Sequence, residues 1–190
     1  EKKFCSSIYQ HQDFVYGNLE WVRKGRSNHY LANLAGLLVL ESYLPRRKKI
    51  LSFLKREFVR EILRQFHADG SNFEASTAYH MLSSEMAAWG ILALERLQEQ
   101  IPKKIYERVL GIRNFLSTIT LPSGKILQIG DNDSGRFLKI SPAYELHRMA
   151  EDTLCSKEVL ALLNFVGSRE ESGHGVGGFA RLFLNKRIDP

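Results

Sequence analysis

The chain has 190 residues, of which 44% are hydrophobic and 25% are charged, a balance typical of a globular protein with a substantial core. The 27 Lys and Arg residues exceed the 21 Asp and Glu residues, and the net charge of +6 favours polyanionic partners. No run of about 18 apolar residues is present that could span a membrane, and the two cysteines, Cys5 and Cys155, are too few for a disulfide framework or a zinc cluster.

Helical periodicity dominates most of the chain. Apolar residues at three- and four-residue spacings predict five helices, at about residues 4–19, 28–43, 46–66, 77–99 and 102–119. Ser27 or Asn28 can cap the second helix, Ser76 or Thr77 can cap the fourth, and Pro102 suits the start of the fifth. Short loops between the helices favour antiparallel hairpins, so we predict an all-α fold.

The helical pattern breaks after the fifth helix. The glycines and acidic residues of "LPSGKILQIGDNDSGRFLKISP" predict a short β-hairpin, and two shorter helices fit residues 142–152 and 156–166. A Gly-rich linker then leads to the alternating "FARLFL" at 179–184, which is typical of a β-strand. We therefore predict a helical domain over 1–168, with a linker and the first strand of a further domain over 169–190.

Three polar clusters stand out from this helical background. "SNHY" contains Asn28 and His29 at one helix start, "STAYH" contains Tyr79 and His80 at another, and "GDNDSGR" is an acidic turn. Each has a structural explanation: Asn28 as a cap, the histidines as ordinary half-buried side chains, and the acidic turn as a hairpin tip.

The clusters suggest more when they are considered together. In antiparallel hairpins, the helix starts at 28 and 77 lie at the same end of the layer and can share one rim. The positive end of a helix dipole lowers the pKa of a nearby tyrosine and favours neutral histidine, so we expect an acid–base pair here.

These groups suit β-elimination on a uronic acid. The C5 proton of a uronate is hardly acidic while the adjacent carboxylate is ionised. An amide such as Asn28 can neutralise that carboxylate, a His or Tyr can remove the proton, and a Tyr can protonate the leaving glycosidic oxygen. Return of the proton to the other face of the sugar would instead give C5 epimerisation.

Three segments, in order, carry a family resemblance. "NLEW" followed by "SNHYLANLAGLLVL", then "DGSNFEASTAYH", then "PSGKILQIGDNDSGR" resemble the heparinase II/III-like polysaccharide lyases. The similarity is greatest to the alginate-lyase-like members encoded with bacterial surface-polysaccharide genes, and it covers about residues 8–185. The resemblance implies an incomplete (α/α) toroid, of which this chain would be the later helix pairs, ending as the strand of a β-sandwich domain begins.

The resemblance also implies roles for particular residues. Asn28 matches the Asn that neutralises the uronate carboxylate, and His29 matches the adjacent His that assists or serves as base. Tyr79 matches the Tyr that acts as general acid and, in some members, also as base. The same motifs contain further residues expected to bind substrate or brace the cleft: Glu74, His80, Asp131, Asp133 and Arg136.

Cofactors, partners and location follow from the same resemblance. No cofactor and no metal ligand set is expected in this chain, because a zinc site of some members lies in the sandwich domain. The expected partner is an anionic polysaccharide rather than nucleic acid, the expected location is periplasmic or secreted, and the oligomeric state stays open. Without the sandwich, which supplies a further catalytic His or Tyr in this family, the chain is expected to be catalytically incomplete.

One alternative comes from a different class of function. A non-catalytic helical module could bind polyanions through its net charge, with the basic run Arg46–Lys49 as its main contact. The sequence contains no recognisable nucleic-acid-binding motif, and such a run is more often a solvated helix start.

Overall fold

The computed structural model describes residues 2–21, 23, 25, 27–44, 47–133, 135–138 and 155–172. Within these ranges the chain forms the helices α1 (Lys2–Gly17), α2 (Asn28–Tyr43), α3 (Lys48–Gln65), α4 (Thr77–Arg96), α5 (Lys103–Thr118) and α6 (Lys157–Ser172). The predicted helical class is therefore confirmed for this part of the chain. The helix predicted at 142–152 and the strand predicted at 179–184 lie outside the described residues.

Most helix boundaries lie within two residues of the predicted positions, but α4 and α6 differ more. Helix α4 stops at Arg96 instead of about 99, because Gln98 takes a left-handed φ of 59° that breaks the helical path. Helix α6 continues to Ser172 instead of ending at 166, so the predicted domain boundary at 168 falls inside a helix.

Helix α4 forms the centre of the structure. It is buried on nearly all sides and packs against α2, α3, α5 and α6. A helix that is apolar all round belongs in a core, and α4 places Met81, Ala87, Ile91 and Leu94 there with at most 1% exposure. The start of α4 is therefore held by its neighbours, which makes it a rigid support for a functional group.

The segment after α5 turns back on itself where a hairpin was predicted. Leu121 N–H donates to the Lys125 carbonyl at 2.8 Å, and Gly124 supplies the positive φ of 83° that the turn requires. Among the described residues this segment contains only an isolated antiparallel bridge, Thr120–Ile126, and no sheet. A second bridge, Lys125–Cys155, joins the turn to the residues before α6.

None of the helices in the described ranges combines the length and apolar composition that crossing a bilayer requires.

We predict that Gly90→Ala destabilises the protein while Gly36→Ala does not. A methyl group at Gly90 would meet the ring of Phe58, which is fully buried, whereas one at Gly36 would meet nothing within 4 Å. Overpacking costs about 1–3 kcal/mol, and both substitutions gain up to about 1 kcal/mol of helix propensity. Urea unfolding should show a lower free energy for Gly90→Ala and an equal or higher one for Gly36→Ala; equal effects would contradict this packing.

Candidate functional site

The starts of α2 and α4 meet at one cleft with a volume of about 420 Å³. Its third wall is the segment that follows the turn after α5. The polar lining residues are Glu20, Asn28, His29, Asn33, Tyr79, Asn132, Asp133 and Arg136. The apolar lining comes mainly from Ala32, Ala78, Leu82, Met86 and Phe137. The structure thus brings the predicted residues Asn28, His29 and Tyr79 to a common cleft.

Asn28 is the first residue of α2 and is 8% exposed. Its Nδ2 amide donates to Glu74 Oε2 at 3.3 Å. Glu74 is half-buried, and this burial raises the pKa of its carboxyl group although Asn28 and His29 act in the opposite direction. Glu74 does not line the cleft, so its position fits a support for Asn28 better than the predicted contact with substrate.

His29 projects into the cleft one residue further along α2. Its Nδ1 atom lies 2.7 Å from Glu20 Oε2, and the two side chains are 65% and 56% exposed. The backbone N–H of Glu20 donates to Asn33 Oδ1 at 2.9 Å, which ties this residue to α2. Glu20 belongs to the "NLEW" segment, and no feature of that segment had predicted a functional role for it.

Two hydroxyl groups at the start of α4 hold the third wall of the cleft. Ser76 is the N-cap, where its Oγ accepts from Tyr79 N–H at 3.3 Å, as predicted for this position. The same hydroxyl donates to the Asp131 carbonyl at 2.5 Å. Thr77 exchanges hydrogen bonds with Ile129, whose N–H donates to Thr77 Oγ1 at 3.0 Å and whose carbonyl accepts from Thr77 N–H at 2.9 Å.

Tyr79 is the third residue of α4, and its hydroxyl donates to Asp133 Oδ2. This hydrogen bond is the main reason why the pKa of Tyr79 is raised to about 12, with smaller contributions from burial and from the negative charges nearby. The predicted lowering of this pKa by the helix dipole is therefore wrong. The carboxylate contacts the phenol directly, while the helix terminus acts only through partial charges.

Arg136 lines the cleft, but its guanidinium group contacts two carboxylates, one fully buried and one partly buried. Nε lies 3.1 Å from Glu85 Oε2, and Nη2 lies 2.9 Å from Glu158 Oε2. Glu85, which is fully buried on α4, also accepts from the N–H groups of Phe137 and Leu138 at 2.9 and 3.2 Å. These contacts fit the bracing role expected for Arg136, and its charge is already balanced without a substrate.

Two further predicted residues do not face the cleft. His80 is 1% exposed, and its ring lies between those of Phe66 and Phe115. The distance between ring centroids is 5.9 Å to Phe66 and 4.7 Å to Phe115. Burial lowers the pKa of His80 to about 4, so this histidine is a neutral core residue and not the predicted substrate contact. Asp131 holds Ser76 through its backbone carbonyl and is absent from the cleft lining.

The described residues contain no group of three or more His, Cys, Asp or Glu side chains arranged to hold a metal ion. The Cys155 thiol is free.

Comparison with known protein families gives one match. The family described as "Heparinase II/III N-terminus" matches residues 2–145, which include α1 to α5 and the described wall of the cleft up to Leu138. No curated protein and no solved structure matches the chain.

We predict that His80 makes the protein less stable in acid. The pKa of His80 is about 4 in the folded protein, whereas an unperturbed histidine, as in the unfolded chain, has a pKa of 6.5. Stability from its neutral ring is therefore complete above pH 6.5 and is lost as the pH falls towards 4. This difference between the two pKa values corresponds to a loss of about 3 kcal/mol in the free energy of unfolding. Chemical unfolding of wild type and His80→Gln from pH 7 to 4 measures this loss.

The exposed His67 provides the matched control, because His67→Gln should keep the wild-type pH dependence. If His80→Gln lost stability in parallel with the wild type over this range, a buried neutral His80 would be excluded.

Proposed function

This chain belongs to the heparinase II/III family, and we propose from this membership that it is a polysaccharide lyase that cleaves uronic-acid-containing anionic polysaccharide by β-elimination. The main support is that Asn28, His29 and Tyr79 line the same cleft. These three side chains provide the amide, imidazole and phenol groups that the reaction needs. The uronate would enter the cleft between the starts of α2 and α4.

Asn28 would neutralise the substrate carboxylate. Removal of the C5 proton places negative charge on the adjacent carboxylate, and a hydrogen-bond donor there stabilises the developing enolate. A primary amide has two N–H groups, and the Glu74 contact uses one of them while fixing the orientation of the amide. The second N–H group would then donate to the carboxylate of the substrate.

His29 and Tyr79 would divide the two proton transfers. The neutral imidazole of His29 takes the C5 proton, the C4–C5 double bond forms, and the C4–O bond breaks. The departing glycosidic oxygen takes a proton from the Tyr79 hydroxyl. A pKa raised to about 12 keeps this phenol protonated, and the protonated form can donate a proton but cannot take the proton from C5. His29 is therefore the better candidate for the base.

The contacts of the basic run weaken the alternative of a charge-driven polyanion-binding module. Arg47 contacts Asp13 Oδ1 at 2.5 Å and the fully buried side chain of Glu41 at 3.3 Å, so its charge is balanced within the protein. Lys48 and Lys49 are exposed at the start of α3, and Arg46 lies outside the described residues. We therefore favour the cleft as the polysaccharide-binding surface, and we expect the protein to act in the periplasm or after secretion.

We predict that Tyr79→Phe lowers the rate of unsaturated product formation by about 10²- to 10⁴-fold, because the glycosidic oxygen loses its proton donor. The measurement is the ultraviolet absorbance of the C4–C5 double bond, with the natural protein and a panel of uronate polysaccharides. Tyr43→Phe is the control, because Tyr43 is 64% exposed on α2 and lies outside the cleft. An unchanged rate in Tyr79→Phe would show that another group is the acid.

The same assay in deuterated water distinguishes elimination from C5 epimerisation. A lyase should produce chain cleavage with an unsaturated end group, whereas an epimerase would incorporate deuterium at C5 of intact chains. We predict cleavage, because the Tyr79 phenol is a proton donor in the cleft. Deuterium incorporation without cleavage, lost in His29→Ala, would instead assign the same residues to epimerisation.

A further inference from the structure

We propose that Glu20 is a positioning residue that holds His29 in the tautomer required of the base. This inference rests on the proposed function of His29. Its structural basis is the contact between Glu20 Oε2 and His29 Nδ1 at 2.7 Å on the wall of the cleft.

Two contacts fix Glu20 against α2. Its side chain meets His29, and its backbone N–H donates to Asn33 Oδ1 at 2.9 Å. His29 and Asn33 are four residues apart and therefore lie on the same face of the helix. The segment before α2 is thus attached at two points to the helix face that lines the cleft, and this attachment defines where the carboxylate lies.

The chemistry of the two groups determines the tautomer. A carboxylate can only accept a hydrogen bond, so the Nδ1 atom that faces Glu20 must carry the proton. A neutral imidazole has one N–H group, and the proton on Nδ1 leaves Nε2 of His29 with a lone pair. Nε2 would then accept the C5 proton, and Glu20 would stabilise the imidazolium that forms.

The other acidic groups near His29 have donors of their own. Glu74 accepts from Asn28, and Asp133 accepts from the Tyr79 hydroxyl. Arg136, the cation in the described cleft lining, pairs with Glu85 and Glu158. Among the residues that the structure describes, Glu20 supplies the carboxylate that is hydrogen-bonded to the His29 ring.

A purely structural role would give a different result. Exposed ion pairs contribute little to stability, and both side chains here are more than half exposed. We therefore expect Glu20→Ala to fold normally and to lower kcat by about 10- to 100-fold, with little change in KM. Glu20→Gln should retain most of the activity, since its amide oxygen still accepts from Nδ1–H.

The double variant tests whether Glu20 acts through His29. In the His29→Ala background, Glu20→Ala should have no further effect on kcat, because its target is already missing. The control is Glu107→Ala, which removes an equally exposed glutamate outside the cleft and should leave kcat unchanged. The inference would be overturned if Glu20→Ala lowered kcat by the same factor in the His29→Ala background as it does in the wild type.

A measurement that does not depend on activity separates this inference from the proposed function. Long-range ¹H–¹⁵N spectra report which ring nitrogen of a neutral histidine carries the proton, and the His29 signals are identified by their loss in His29→Ala. We expect the proton on Nδ1 in the wild type and in Glu20→Gln, and on Nε2 in Glu20→Ala. A wild-type proton on Nε2 would overturn the inference whether or not the protein is a lyase, whereas a normal tautomer pattern without product formation would overturn only the proposed function.

Discussion

The geometry of the cleft depends on the contacts between the buried carboxylate of Glu85 and residues 136–138. This carboxylate is fully buried on α4 and accepts four hydrogen bonds, two from Arg136 and one each from the backbone N–H groups of Phe137 and Leu138. A buried charge is tolerated only when it is paired and hydrogen-bonded. This requirement keeps the 135–138 segment against α4, and with it the neighbouring Asp133 beside Tyr79.

The same kind of contact occurs three times in the cleft: a carboxylate is hydrogen-bonded to a side chain that is proposed to act on the substrate. The pairs are Glu74 with Asn28, Glu20 with His29, and Asp133 with Tyr79. In each pair the partners come from different segments of the chain, so the fold determines the orientation of the amide, the ring and the phenol. Preorganised groups of this kind reduce the reorganisation that the reaction would otherwise require. The Asp133 contact raises the pKa of Tyr79 and so keeps its phenol protonated, which fits the proton-donor role proposed for it.

The sequence was informative wherever a local rule applies. Periodic leucines predicted α2 at its observed residues, and Ser76, the observed N-cap of α4, was one of the two predicted caps. The end of α4 could not be predicted, because the left-handed residue there is Gln98 and not a glycine. The convergence of Asn28, His29 and Tyr79 was predicted from the helix starts. The partner of the phenol, Asp133, is 54 residues away in the chain, and the partner of the imidazole, Glu20, lies in a loop, so no helical periodicity identifies either contact. Glu85, an acidic residue in an otherwise buried helix, is the kind of residue that requires a partner from elsewhere in the chain.

The most direct test of the central claim is a crystal structure of the Tyr79→Phe variant with a uronate oligosaccharide. We expect a uronate carboxylate within hydrogen-bond distance of Asn28 Nδ2, with C5 of the sugar facing His29 Nε2 and its glycosidic oxygen next to the ring of residue 79. An oligosaccharide bound in the cleft with its carboxylate away from Asn28, or bound outside the cleft, would contradict it.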